Sequence, residues 1–337
     1  MKIHTNIEHL KDYKIYLKVE EAVNEFLQKK GYLKIDLPVL SPALIPESYI
    51  EVFETHFNYL NNRSRLYLTP SPELFLKRLL AYGIGNCYYL GKSFRNGETT
   101  SSLHSPEFMM LEFYKTKVNY MDLADDVLEM LQYITNKIKD SAFAKASSDK
   151  QNSKIKFNKW EKISVIDAFQ KYSRISEKEL FNHKLFFKKA EKKGYQTTGF
   201  SFEDIFSQIY AQEVEPHLGQ NGFPTLIYDY PKEFAALAKT SKDGKTSERF
   251  EFYVHGIEIG DCYTELTDWQ EQEKRFIIEN KRRKKDKKIN HLIDKGFIQA
   301  LKLGLVNCAG IAIGLERLTM IFANVDSIDK LKLINIV

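Results

Sequence analysis

The chain has 337 residues, of which 43% are hydrophobic, 28% charged and 3 cysteine, with a formal charge of +5. This is the composition of a folded globular protein, and it excludes a disordered, collagenous or disulfide-stapled one. No apolar run reaches the ~20 residues that span a bilayer. The N-terminus, MKIHTNIEHLKDYK, has no apolar core and no cleavage site, so a cytoplasmic protein with no membrane association is expected. Cys87, Cys262 and Cys308 form no C-x-x-C pair and are expected to be small buried hydrophobes. The charge is local. Residues 281–288, KRRKKDKK, carry seven bases and one acid, which leaves the rest of the chain at −1. Such a run is a solvated loop or helix end, or a docking patch for an acidic partner or nucleic acid.

An amphipathic helix is expected over about Tyr13 to Lys30, because Ile15, Val19, Ala22, Val23, Phe26 and Leu27 recur at helical spacing and Gly31 follows as a stop. Val52–Leu60 and Arg65–Leu68 read as strands. Ser71 and Pro72 open a short helix that Gly83 ends. Asn86–Phe94 and Phe108–Tyr114 are apolar, aromatic and strand-like. Asn119 or Asp122 caps a helix to about Lys139 on the stripe Leu123, Val127, Met130, Leu131, Ile134 and Ile138. Residues 141–157 are small and polar and read as a surface linker or insertion. Short helices follow, one around Asp204–Glu213, then strands at Arg249–Val254, Gly256–Leu266 and Cys308–Ile313. Strands separated by long, irregular excursions predict an α+β fold, a mainly antiparallel sheet flanked by helices, in a single domain over 1–337.

Four carboxylates, Glu251, Glu258, Asp261 and Glu265, stand in strand-like surroundings. A turn at His255–Gly256 would fold Glu251 and Glu258 together. Paired carboxylates on rigid strands suit Mg²⁺, which takes oxygen ligands and shares them with phosphate. An exposed polar strand face would look the same in sequence. Arg95 follows a strand and precedes a Gly/Thr/Ser turn, and Arg317 ends GIAIGLER, where Gly310 and Gly314 allow close backbone approach. Arginine suits phosphate because its planar fork is always charged, although each arginine taken alone also fits an ordinary salt bridge. The chain has no Walker A, G-x-G-x-x-G, G-x-S-x-G or H-E-x-x-H sequence.

Five ordered blocks assemble these pieces: GYLKIDLPVL (31–40), LTPSPELFLKRLL (68–80), KSFRNGETTSSLHSPEFMMLEFY (92–114), ERFEFYVHGIEIGDCYTELTD (248–268) and GIAIGLERL (310–318). Together they resemble the catalytic domain of a class II aminoacyl-tRNA synthetase of the lysyl branch, from about Tyr13 to the C-terminus. The first, third and last blocks resemble motifs 1, 2 and 3. The motif 1 helix begins at about Tyr13, so no N-terminal anticodon-binding OB domain is expected. A catalytic domain without that module resembles the elongation factor P–(R)-β-lysine ligase family. That family usually has alanine at the middle of motif 3, where lysyl synthetases read GLGIG; here Ala312 stands there. An added methyl in a pocket shifts selectivity by ~1–3 kcal/mol.

The resemblance implies ATP-dependent activation of (R)-β-lysine as an adenylate and its transfer to a lysine side chain of elongation factor P, with tRNA not the acceptor. The alternative is a stand-alone enzyme that makes a lysyl-adenylate and charges tRNA or another amine acceptor with α-lysine. A third reading is a non-catalytic regulator that binds a ligand or an RNA. By resemblance, Arg95 and Arg317 are catalytic, and ATP meets Arg95, Asn96, Glu98, His104, Ser105, Phe108, Glu258, Ile259, Gly314 and Arg317. Ser71, Pro72, Glu73, Glu112, Tyr114, Asp261, Glu265 and Ala312 bind the amino acid, and Glu251 and Glu258 bind Mg²⁺. Motif 1 implies a homodimer. The chain departs from the family in three places: FRNGE for FRNE, HSPEF for HNPEF, and EIGDC for EIGNG or ELANG. The first is a one-residue insertion ahead of Glu98. The second shortens a side chain at Ser105. The third adds a charge at Asp261.

Overall fold

The computed structural model describes residues 2–97, 101–139 and 155–336. Strand β1 (Ile3–Thr5) leads into helix α1 (Leu10–Lys29), which buries Ile15, Val19, Ala22, Val23, Phe26 and Leu27, the expected stripe. Gly31 follows at φ +80°, a conformation that favours glycine, and turns the chain into β2 (Leu33–Lys34). Strands β3 (Leu40–Ser41), β4 (Glu54–Tyr59) and β5 (Asn62–Leu68) make a separate small sheet. Val52, expected inside a strand, lies before β4 and is buried with Leu44 and Tyr67. Helix α2 (Glu73–Ala81) starts after Pro72, and Ser71 Oγ accepts from the backbone N–H of Glu73 at 3.1 Å.

Strands β6 (Cys87–Phe94) and β7 (Glu107–Thr116) then precede α3 (Tyr120–Lys139). Both candidate caps of α3 act: Asn119 Oδ1 accepts from Met121 N at 2.8 Å, and Asp122 Oδ2 accepts from Asn119 N at 2.9 Å. Of the expected linker, residues 141–154 lie outside the described residues; Phe157 at its end is buried and packs on Phe322, with ring centroids 5.6 Å apart. Strand β8 (Glu161–Ser164) opens a helical stretch of α4 (Val165–Ala168), α5 (Glu177–Leu180), α6 (His183–Lys192) and α7 (Phe202–Ile209). The chain closes with β9 (Thr225–Pro231), β10 (Thr246–Val254), β11 (Ile257–Thr264), α8 (Trp269–Lys285), α9 (Lys295–Gly304), β12 (Cys308–Gly314), α10 (Leu315–Ala323) and β13 (Ile334–Ile336).

The main sheet has eight strands in the order β2-β6-β7-β12-β11-β10-β9-β8. Only its two edge pairings, β2 with β6 and β8 with β9, are parallel, so the expected α+β architecture holds. One face of the sheet packs on α1, α3 and α10 through a continuous apolar core that includes Val23, Phe113, Val127, Phe252 and Ile313. The helices of 165–217 close on a second cluster that reaches the sheet through Ile227, Tyr230 and Tyr253. The cysteines are free and buried, as expected.

The basic run 281–288 is only partly a solvated patch. Lys281, Lys284, Lys285 and Lys287 are exposed, but Arg283 is 1% exposed. Its guanidinium donates to the carbonyls of Glu47 (2.7 Å), Ile50 and Ile289 (2.7 Å) and to Glu51 Oε1 (3.2 Å). It thereby fixes the segment before β4 onto α8. Removing a buried charged donor strands its partners, at a cost of about 3 kcal/mol. Arg283→Ala is expected to lower the urea midpoint accordingly, while Lys284→Ala leaves it in place. Equal midpoints for the two variants would refute the distinction.

Candidate active site

Antiparallel register aligns functional side chains in rows across the sheet. Glu112 of β7, Ala312 of β12, Asp261 of β11 and Glu251 of β10 are successive cross-strand partners, so their side chains share one face. The next row on that face holds Tyr114, Gly310, Tyr263 and Arg249. The His255–Gly256 turn forms as expected, with φ of 54° and 73°, values typical of the turn that joins two strands tightly. The two-residue turn pairs Glu258 with Tyr253, and a bulge between Phe252 and Tyr253 then sets Glu251 opposite Asp261. Glu251 and Glu258 therefore share the wall but are not direct partners.

This face lines a cavity of about 830 Å³. Its wall includes Ser71, Glu73, Arg95, His104, Ser105, Phe108, Glu112, Tyr114, Glu251, Glu258, Ile259, Asp261, Glu265, Ala312, Gly314 and Arg317, all expected from sequence. Pro72 and Asn96 are not on it. Pro72 starts α2, and the Asn96 side chain turns toward the backbone, donating to Val52 O at 3.4 Å and accepting from Gly97 N at 2.9 Å. Glu98 lies outside the described residues.

At one end of the cavity the carboxylates are deeply buried. Lys77, 2% exposed, forms ion pairs with both Glu73 and Glu265. Tyr263 donates to Glu73 Oε1 at 2.7 Å. Glu112 accepts from Tyr114 at 2.6 Å and from Ser71 at 3.1 Å. Glu265 Oε1 is buried and has no hydrogen-bond partner among the described residues. A Cβ on Gly310 would lie 2.7 Å from that oxygen and 2.3 Å from the Tyr114 ring, so only glycine fits there. Burial, with the neighbouring Glu73 charge, pushes Glu112 up to about 8. Burial also pushes Glu265 up to about 8, against the opposing pull of Lys77.

In the middle, Arg249 binds two carboxylates. Its Nε donates to Asp261 Oδ1 at 2.9 Å, its Nη2 to Glu251 Oε1 at 2.8 Å and its Nη1 to Phe234 O at 2.7 Å. The charge that Asp261 adds is thus balanced by an arginine of the same sheet. Glu251 Oε2 accepts from Tyr230 (2.7 Å) and Tyr253 (2.6 Å), and Tyr210 OH lies 2.8 Å from Tyr230 OH.

At the other end, the Arg95 guanidinium lies 5.4 Å from the Phe108 ring centre. Arg317 donates to Leu103 O (3.1 Å), Glu258 O (3.1 Å) and His104 Nε2 (2.7 Å). Because arginine only donates, His104 Nε2 accepts, which places the ring proton on Nδ1, facing Ser101 Oγ at 3.0 Å. Ser105 Oγ accepts from Lys332 Nζ at 3.1 Å. Among the described residues, a Cβ on Gly314 would meet nothing nearer than the Arg317 side chain at 3.9 Å, so the floor there is open to a ligand.

The donors fit Mg²⁺ in kind. Glu251, Glu258 and Asp261 offer hard oxygens, and no cluster of three or more ligands able to cage a metal occurs among the described residues. A magnesium ion that keeps water and phosphate oxygens needs only one or two carboxylates. Glu258 is the freer of the expected pair, since both oxygens of Glu251 are already hydrogen-bonded.

Comparison with known proteins agrees with this geometry. The family profile described as tRNA synthetases class II (D, K and N) matches residues 4–334. The chain belongs to this family. It is 33% identical over 95% of its length to an elongation factor P–(R)-β-lysine ligase of Buchnera aphidicola, covering 94% of that protein. It is 34% identical over 95% of its length to one of Histophilus somni, covering 93% of it. A lysine–tRNA ligase of Carboxydothermus hydrogenoformans is 30% identical over 92% of the chain, which spans 62% of that relative. No helix among the described residues is long and apolar enough to cross a membrane.

Sequence reasoning did not single out Lys77, Arg249, Tyr230, Tyr253 or Tyr263. Two of them carried a periodic signal. Lys77 is four residues from Glu73 on a helix, and Arg249 is two from Glu251 on a strand.

Only ionised carboxylates hold an ammonium well. With Glu112 and Glu265 raised to about 8, both are partly protonated at neutral pH and shed those protons when a cationic ligand enters. The KM for a diamino acid in ATP–pyrophosphate exchange is therefore expected to fall as pH rises from 6.5, by up to about tenfold per unit for each of the two protons released, and to level off above about 8. A KM independent of pH over that span would contradict it.

Proposed function

We propose that this enzyme activates (R)-β-lysine with ATP and transfers it to a lysine side chain of elongation factor P. The single observation that carries this reading is the acidic pocket. Glu73, Glu112 and Glu265, with an unpartnered Glu265 oxygen, adjoin a surface that presents Arg95 and Arg317. Three carboxylates against one internal ammonium, Lys77, leave room for a ligand with two amines. An uncharged side chain would leave a buried carboxylate unpaired, and the pocket rejects it on that ground.

In the first step the amino-acid carboxylate attacks the α-phosphorus of ATP and pyrophosphate leaves. A carboxylate needs no deprotonation at neutral pH, so positioning and charge stabilisation supply the catalysis. Arg95 holds the α-phosphate and Arg317 the γ-phosphate end and adenine, with Phe108 on the opposite ring face. His104, Ser105, Ile259 and Gly314 line the nucleotide. Ser105 does so with a hydroxyl already bonded to Lys332. Glu258, with Glu251 behind it, would hold Mg²⁺, which neutralises phosphate charge. Asp261 and Ala312 sit between Glu112 and Glu251 in the row that faces the substrate backbone.

The ligase relatives align over nearly their whole length, which supports a protein acceptor over tRNA. A second reading, α-lysine charged onto tRNA, keeps the same pocket and rests on the lysine–tRNA ligase relatives. A cytoplasmic homodimer formed around motif 1 accords with the family. The exposed lysines at the end of α8 are the acceptor-docking element in this reading.

Side-by-side ATP–pyrophosphate exchange with (R)-β-lysine, α-lysine and ornithine tests the substrate. A clear preference for α-lysine would overturn the first reading. Ala312→Gly is expected to move the β-to-α preference by ~1–3 kcal/mol toward α-lysine. Replacing Lys284, Lys285, Lys287 and Lys288 with Gln is expected to weaken transfer and spare exchange. Equal loss of both would remove the docking role.

A further inference from the structure

The transfer step needs a base. An acceptor amine arrives as an ammonium ion at neutral pH and has no lone pair until it loses a proton. We propose that Glu47 takes that proton. The inference rests on the amine-acceptor reading above and adds a residue to it.

Glu47 lies on the irregular segment between β3 and β4 and lines the cavity. The charged groups that act on its carboxyl are Glu73 and Lys77 of α2, Arg95 at the end of β6, and Glu279 of α8. Two of these belong to the amine pocket and one to the phosphate end. The segment runs from Ile45, which packs on the cluster of Leu74 and Tyr114 beside the amine pocket, to Glu51, whose carbonyl accepts from Asn96 N next to Arg95. Glu47 lies between these two anchors, on the side of the cavity where the acyl carbon of an adenylate must lie. No hydrogen bond or ion pair with a described residue engages its carboxylate. In contrast, Glu73, Glu112, Glu251, Glu258, Asp261 and Glu265 are each tied to a named partner. Glu215, also raised to about 7, lies beside Glu258 and Arg317 at the far end.

The segment is held as a base needs to be held. Arg283 binds the carbonyls of Glu47 and Ile50, Ser48 N donates to Glu279 Oε2 at 3.1 Å, and Asn96 N donates to Glu51 O at 2.9 Å. Burial, reinforced by Glu73, pushes the Glu47 carboxyl up to about 7 against the opposing Arg95 and Lys77 charges. A base with its pKa near the working pH is the effective one.

The step balances as follows. The ammonium gives one proton to the Glu47 carboxylate. The freed nitrogen pair attacks the acyl carbon, and the C–N bond forms. The bond from that carbon to the phosphate oxygen breaks, its electron pair leaving with AMP. The second nitrogen proton departs to AMP or water, and Glu47 returns its proton to solvent.

The test uses the full-length enzyme with adenylate formed in place, comparing wild type with Glu47→Gln and Glu47→Asp. Acceptors are elongation factor P, n-butylamine and hydroxylamine, the last of which is largely unprotonated at neutral pH and needs no base. Glu47→Gln is expected to keep pyrophosphate exchange and hydroxylamine trapping, which also shows that it is folded. Single-turnover transfer to elongation factor P and n-butylamine should fall about 100-fold. The pH–rate limb near 7 should disappear, with Glu47→Asp intermediate. Wild-type transfer by Glu47→Gln, or parallel loss of exchange and transfer, overturns the assignment. If wild type makes adenylate but never modifies elongation factor P, the acceptor reading fails instead, and n-butylamine still decides the role of Glu47.

Discussion

The structure depends on holding negative charges close together on one largely buried wall. Glu73, Glu112, Glu265, Asp261 and Glu251 converge on one face of a sheet. Isolated buried carboxylates would shed their charge or unfold their surroundings. Two cations prevent this. Lys77 lies between Glu73 and Glu265, and Arg249 between Glu251 and Asp261. Each leaves its carboxylates short of full compensation, and the shortfall is what a diammonium ligand can complete.

Rigidity follows from the same arrangement. Strands β7, β12, β11 and β10 are central to the main sheet, so the row from Glu112 to Glu251 is fixed by backbone hydrogen bonds on both sides. Helices α1, α3 and α10 close the opposite face with an apolar core, which leaves the acidic face free for a ligand. The helices of 165–217 add the third wall, and Tyr210 ties them to Glu251 through Tyr230. Arg283 fixes the loop that brings Glu47 to the cavity.

Much of this was legible because it is periodic or local. The stripe of α1, the caps of α3 and the two-residue turn at His255–Gly256 follow from spacing and residue type alone. Glu251, Glu258, Asp261 and Glu265 stood out by their strand-like surroundings, Glu73 and Glu112 came from resemblance, and all six line one cavity. What stayed hidden depends on contacts distant in sequence. The tight turn sets Glu258 opposite Tyr253 and a bulge beyond it sets Glu251 opposite Asp261, so the two glutamates expected together are not paired. Arg283 in a basic run is indistinguishable from its solvated neighbours until its carbonyl partners appear. Asn96, next to Arg95, turns to the backbone because the segment before β4 passes beside it.

The row of side chains across four strands also limits how this chain can change length. Away from the bulges of β10 and β11, adding or deleting one residue within β7, β10, β11 or β12 would turn the side chains that follow to the opposite face, carrying carboxylates into the apolar core and core residues into the cavity. Such a change loses fold and site together. Insertions and deletions are therefore tolerated at bulges and in the connections between strands. The extra residue in FRNGE obeys that limit: Gly97 lies beyond the end of β6, at φ +75°, and among the described residues only the Glu51 side chain is near its missing Cβ.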